Sequence, residues 1–203
     1  MASACIAMIS KEMFSRNVES AFSVLITNYD FSVVESNDGY VRLDSPFVSI
    51  DVTYDFRNSF EVGIEFYELR DGVRYPTIPF NIGEVLREHS VPNAHNASFF
   101  QSSKEDDVLV FIRETAARLV HHCEPCLRGE PKTFAALAQR RSIEASEYTR
   151  KMQIESARVR AEEAWRKKNY QGFIAVYQGL ADSLPESDKK KLEYAIRQCN
   201  VQS

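Results

Sequence analysis

The chain has 203 residues, is 44% hydrophobic and 27% charged, and carries a net charge of −4. That balance suits a globular protein able to bury a core. Its mild acidity gives no general pull toward nucleic acid or an anionic membrane. Cys5, Cys123, Cys126 and Cys199 are too sparse for a disulfide scaffold, so they are expected to be reduced thiols in a cytoplasmic protein.

The N-terminal run MASACIAMISKEMF has no basic segment ahead of its short apolar stretch and is not expected to be a secretory signal. No apolar stretch approaches the roughly 20 residues that span a bilayer, so no membrane contact is expected. Phe14, Val18, Ala21, Phe22 and Leu25 fall on one face of a helix over about residues 11–28. The period then changes. Phe31 to Val34 reads as extended, Asn37-Asp38-Gly39 as a turn, and Val41 and Leu43 as a short strand.

The strongest strand signal is FVSIDVTYDFRNSFEVGIEFYEL. Val48, Ile50, Val52 and Tyr54 alternate with polar residues, and so do Phe60, Val62, Ile64 and Phe66. Period two on both arms predicts an antiparallel hairpin with one buried and one wet face. Asp71-Gly72 predicts another turn, with a short strand over 73–79. Asn81 and Glu84 form a capping-box pattern ahead of a short helix, and Ser102 and Glu105 repeat it ahead of a longer one over about 103–124.

From Pro131 to Lys168 there is no Gly and no further Pro, which predicts one long exposed helix with Phe134, Leu137, Tyr148 and Met152 as its buried stripe. Its Arg and Lys are interleaved with Glu. That mixture suits i,i+4 pairing and not a nucleic-acid arm. Trp165, Tyr170, Phe173 and Tyr177 read as the core of a terminal helical hairpin. The fold class expected is α+β: an antiparallel sheet of three to four strands packed with helices over 1–129, then an all-helical extension over 130–203.

Two stretches invite a chemical reading. HHCEPC places His121, His122, Cys123 and Cys126 within six residues. A structural zinc site draws on a second ligand pair, which this chain lacks. A redox CxxC sits at a helix N-terminus, whereas this one falls at a helix C-terminus. Both cysteines instead continue the apolar stripe of Ile112, Ala116 and Leu119, with Pro125 and Gly129 as the stop. No metal and no cofactor is therefore assigned.

The second stretch is the wet face of the hairpin. With Tyr54 opposite Phe60, Asp51 faces Gly63 and Thr53 faces Glu61, so Asp51, Asp55, Glu61 and Glu65 share one surface. Like charges so close repel. The face reads as a docking surface for a basic partner, as a solvated or internally covered face, or as a two-carboxylate hydrolase site. GxSxG, P-loop, GxGxxG and HExxH patterns are absent, which argues for a protein that is not an enzyme.

The block YVRLDSPFVSIDVTYDFRNSFEVGIEF resembles small bacterial α+β immunity proteins of polymorphic-toxin and contact-dependent growth inhibition systems. AWRKKNYQGFIAVYQGLADSLPESDKKKLEYA is similar to a helical hairpin appended to such proteins, and to one tetratricopeptide unit. The resemblance implies a cytoplasmic toxin inhibitor that binds a toxin domain directly, with acidic groups plugging a basic nuclease site. Such proteins share no catalytic motif, so no residue role transfers. The alternatives are a helical adaptor that binds a protein through 130–203 and a thiol or metal sensor built on Cys123 and Cys126.

Overall fold

Residues 11–201 of the chain are described by a computed structural model; the N-terminal apolar run and Cys5 lie outside them. Helix α1 (Lys11–Ala21) buries Phe14 and Val18, and helix α2 (Ser23–Asn28) buries Leu25. The stripe read from the sequence is intact, but the helix breaks at Phe22, with φ −92° and ψ 8°. There Ser23 Oγ donates to the Ser20 carbonyl at 2.9 Å, a local bond of the kind that competes with helix continuation.

Six strands form one antiparallel sheet: β1 (Ser32–Asn37), β2 (Tyr40–Asp44), β3 (Val48–Tyr54), β4 (Glu61–Arg70), β5 (Val73–Asn81) and the short β6 (Phe100–Gln101). They lie in chain order from β1 to β5, and β6 pairs with the start of β4. Gly39 turns β1 into β2 at φ +76°, where a Cβ would sit 2.5 Å from the Tyr54 carbonyl. Val41, Leu43, Val48, Ile50, Val52, Tyr54, Val62, Ile64 and Phe66 line the buried face. Helices α1, α3 (Ile82–Glu88) and α4 (Glu105–His122) supply the other half of this core.

The Asn81–Glu84 capping box forms as read: Glu84 N donates to Asn81 Oδ1 at 3.0 Å and Asn81 N to Glu84 Oε2 at 2.8 Å. The Ser102–Glu105 box does not. Ser102 Oγ accepts from Lys104 N at 3.1 Å and donates to Asp107 Oδ2 at 2.9 Å, and Lys104 takes the cap position without a side-chain bond.

After α4 come the four-residue α5 (Glu124–Leu127) and the 36-residue α6 (Pro131–Arg166). The chain divides into two compact units after Gln139, not at residue 129. The first turns of α6 belong to the first unit because Phe134 and Leu137 are buried in its core, with the Phe134 ring 6.2 Å from that of Phe80.

The second unit holds the rest of α6, α7 (Tyr170–Tyr177) and α8 (Glu186–Val201). Ile154, Ala157 and Ala161 of α6 meet Phe173, Tyr177, Leu192 and Ala195. Trp165 packs its ring 5.1 Å from Phe173, 5.7 Å from Tyr194 and 5.8 Å from Tyr170, as the aromatic pattern predicted. Tyr148 and Met152 are not part of the buried stripe: they are 65% and 50% exposed. Ile154, Ala157 and Ala161 are the buried residues there, and the large side chains of α7 and α8 pack on them. Among the described residues no helix is long and apolar enough to cross a membrane.

Asn81→Ala removes one capping bond and frees the amide of Glu84. It is expected to cost about 1 kcal/mol of unfolding free energy, read from the denaturation midpoint.

Candidate binding face of the sheet

The opposite face of the sheet is polar, and the strand register sets its side chains in cross-strand rows. One row runs Glu35, Arg42, Asp51, Glu65 and Asn81, each directly opposite the next. Tyr40, Thr53 and Gly63 form the row on one side, and Asp44, Ser49 and Tyr67 the row on the other.

Asp51 is the centre of this face and is only 5% exposed. A carboxylate so buried needs charge and hydrogen-bond partners. Tyr40 Oη donates to its Oδ1 at 2.9 Å, Arg42 Nε lies 3.5 Å from the same oxygen, and Arg74 Nη2 pairs with Oδ2. Arg42 also donates to Tyr40 Oη at 2.9 Å and to Glu35 Oε2 at 2.8 Å. The Arg74 guanidinium lies 3.5 Å from the centroid of the Tyr67 ring, a close cation–π stack. Burial holds the Tyr40 and Tyr67 hydroxyls above the usual phenol range, so both stay protonated donors at neutral pH.

Glu65 stands directly opposite Asp51, and among the described residues no cation lies within ion-pair distance of it. Burial first, and the Asp51 carboxylate second, push its pKa up, while Arg74 and Tyr67 pull it down. Three of the four buried side-chain polar atoms without a hydrogen-bond partner among the described residues, Asp44 Oδ1, Ser49 Oγ and Arg74 Nε, also belong to this face. Native interiors leave few such atoms, so the face is polar, ordered and incompletely satisfied.

The four carboxylates read from the sequence fall into two pairs. Asp51 and Glu65 are cross-strand neighbours, so Asp51 does not face Gly63 as the sequence register had it; Thr53 does. Asp55 and Glu61 lie at the hairpin end, where Asp55 N donates to the Glu61 carbonyl at 3.0 Å. Four residues of strand, about 13 Å, separate the two pairs.

The register differs by two residues because the loop is wider than a tight turn. Asp55 accepts from the backbone amides of Arg57, Asn58 and Ser59 at 3.1 to 3.2 Å, and Phe60 takes a left-handed φ of 55° outside the ladder. Those three bonds hold the Asp55 carboxyl down at about 2. Its carboxylate is thus turned into the loop, while Glu61 sits opposite Gln101 at the β6 edge.

Tyr40, Arg42, Tyr67 and Arg74 complete the face, and the sequence reading did not single them out. Tyr40 and Arg42 were findable, since they alternate with the buried Val41 and Leu43. Arg74 was not. It reaches Asp51 only because a register shift between Phe66 and Glu68 brings the first part of β5 into line.

HHCEPC ends helix α4. Cys123 caps it and Cys126 lies in α5; both are fully buried, and His121 and His122 are exposed. Burial pushes the Cys123 thiol up to about 12 and that of Cys126 higher still, so neither supplies a reactive thiolate. Gly129 stops the segment at φ +70°, where a Cβ would lie 2.2 Å from that of Phe47. Among the described residues no group of three or more His, Cys, Asp or Glu is arranged to hold a metal ion.

The class this geometry defines is an α+β domain with an ordered, mixed-charge tyrosine–arginine face, followed by a helical unit. No family model, no curated protein and no solved structure matches the chain.

Asp51→Ala leaves two guanidiniums and a tyrosine hydroxyl without their shared acceptor. It is expected to cost about 1–3 kcal/mol in chemical denaturation. Glu65→Gln removes the uncompensated carboxylate and is expected to be stabilising at neutral pH, by a few tenths to about 1 kcal/mol. Because the folded pKa of Glu65 is raised, that gain fades as pH falls through it and the wild-type side chain protonates.

Asp55 has the opposite sign. Its folded pKa of about 2 lies below the ordinary 3.8. Its contribution is therefore full above the ordinary value and lost as pH falls through about 2. The stability difference between wild type and Asp55→Ala, followed by denaturant titration from neutral to acid pH, is expected to shrink across that window. A difference that grows on acidification contradicts the loop assignment.

Proposed function

We propose that the chain is a non-enzymatic binding protein, an immunity-type inhibitor that neutralises a cognate bacterial toxin in the cytoplasm by seating the toxin domain on the polar face of the sheet. The single observation that carries this reading is the arrangement around Asp51. Tyr40, Arg42 and Arg74 are fixed on that carboxylate, Tyr67 stacks under Arg74, and among the described residues no cation lies within ion-pair distance of the adjacent carboxylate, Glu65.

Tyrosine and arginine are among the side chains enriched where protein interfaces concentrate their binding energy. Their fixed geometry lowers the ordering cost on association. Glu65 is destabilising to the isolated domain by its environment and gains if a partner brings a basic side chain to it. Docking then falls to Glu65 and to the tyrosines and arginines that the buried Asp51 organises, with Glu61 at the margin and Asp55 occupied by its loop. The engagement of Asp51 by Arg42 and Arg74 supports a binding role over acid–base catalysis, since its oxygens are already taken.

The test is protection in bacteria that co-express the toxin encoded by the adjacent reading frame. Wild type is expected to restore growth. Glu65→Lys combined with Tyr67→Ala is expected to lose protection while keeping a native circular dichroism spectrum, and toxin binding by wild type is expected to weaken as salt is raised. Full protection by the double variant rules out the sheet face as the docking surface.

A further inference from the structure

The second unit carries a groove that the proposed sheet-face function does not use. It lies between α6 and α7, has a volume of about 620 Å³, and is walled by Tyr148, Met152, Val176 and Leu180, with Arg160 as the one charged residue in its lining. A second groove of about 400 Å³ continues it toward the N-terminal end of α6; the two share Thr149 and Gln153, and its one charged residue is Arg150. Together they run from Ser142 to Arg160, roughly 27 Å at about 1.5 Å per residue.

Of the many charged residues of α6, only Arg150 and Arg160 line this trough. Glu144, Glu147, Glu155, Glu162 and Glu163 all belong to α6, yet none lines either groove. Glu147 and Glu155 line an adjoining groove with Lys151, Ile154, Ser183 and Pro185, and Arg150 lies on the ridge shared by that groove and the trough. In a chain of net charge −4, a trough that is apolar along its α7 side, polar toward Ser142 and charged only by two arginines favours an acidic partner over a basic one.

Tyr148 and Met152 also lie at i and i+4 on a stretch of helix that is exposed nearly all round. Isolated solvent-bridging helices are polar on every side, so exposed large apolar residues at helical spacing, beside an open groove, mark a surface that pairs with another element.

We propose that this trough is a docking site for an acidic amphipathic helix of a partner protein, whose apolar stripe covers Tyr148, Met152, Val176 and Leu180 and whose carboxylates meet Arg150 and Arg160. About five turns of the partner helix fit along it. The site is independent of the sheet face, and either surface can stand if the other fails.

The probe is a synthetic, fluorescein-labelled helical peptide with leucines along one face and glutamates on both flanks, titrated into the full-length chain and followed by anisotropy. Control peptides carry lysines in place of the glutamates or the same residues in scrambled order. The acidic peptide is expected to bind at least tenfold more tightly than either control.

Met152→Glu is expected to remove that binding without moving the melting temperature. Arg150→Glu combined with Arg160→Glu is expected to reverse the preference, so that the lysine peptide binds more tightly. Equal affinity for the acidic and lysine peptides, no binding of either, or an unchanged preference in the charge-reversed chain overturns the proposal. So does light scattering that shows a wild-type dimer which Met152→Glu dissociates, since the occupant is then a second copy of this chain.

Discussion

A carboxylate buried in the middle of a sheet cannot stand alone, and Asp51 governs the polar half of the first unit for that reason. Its partners come from two other strands: Tyr40 and Arg42 on β2, next to its own β3, and Arg74 on β5, which reaches across β4. Arg74 in turn stacks on Tyr67 of β4. One charge thus orders four large side chains into one surface, directly or through Arg74. A buried ion pair of this kind is a poor stabiliser compared with apolar packing of the same volume. The apolar face, with α1, α3 and α4 packed on it, is the half that carries the folding free energy. Under the proposed function, the polar face is a geometry maintained for recognition.

The two units solve different physical problems. The first separates its functions by sheet face: a period-two strand gives one side to the core and frees the other, so Val48, Ile50 and Val52 pack while Ser49 and Asp51 organise the surface. The second has no sheet to divide. It buries small residues, Ala157, Ala161 and Ala195, among a cluster of aromatics, and it leaves Tyr148 and Met152 outside. Arg158 ties α6 to α8 through Asp188 at 3.0 Å, one of few long-range polar contacts described within that unit.

Much of this was legible in the residues themselves, and the failures have specific causes. Alternation in β3 and β4 identified the hairpin and its two faces. The register slipped because the side chain of Asp55 organises a wide loop that hydrophobic periodicity does not report. The slip was by two residues, an even number, so face assignments survived while cross-strand partners did not. Asp51 was therefore placed on the right side of the sheet but without its neighbour Glu65.

Asn81 announced its cap, whereas Ser102, with the same spacing to a glutamate, spends its hydroxyl on Lys104 and Asp107. Arg74 was beyond reach because its position depends on an irregularity in β5 pairing. Tyr148 and Met152 were assigned to a buried stripe because apolar residues at helical spacing usually are. In the described structure, α7 and α8 pack on Ile154, Ala157 and Ala161 instead.

The central claim is that the tyrosine–arginine face around Asp51 is where a partner binds. Oxidative footprinting of side chains in the free chain and in its complex with the cognate toxin domain tests it most directly. The account predicts that Tyr40 and Tyr67 become strongly protected in the complex, while Tyr29 on the helical side of the sheet keeps its reactivity. Unchanged reactivity of Tyr40 and Tyr67 in a saturated complex contradicts it.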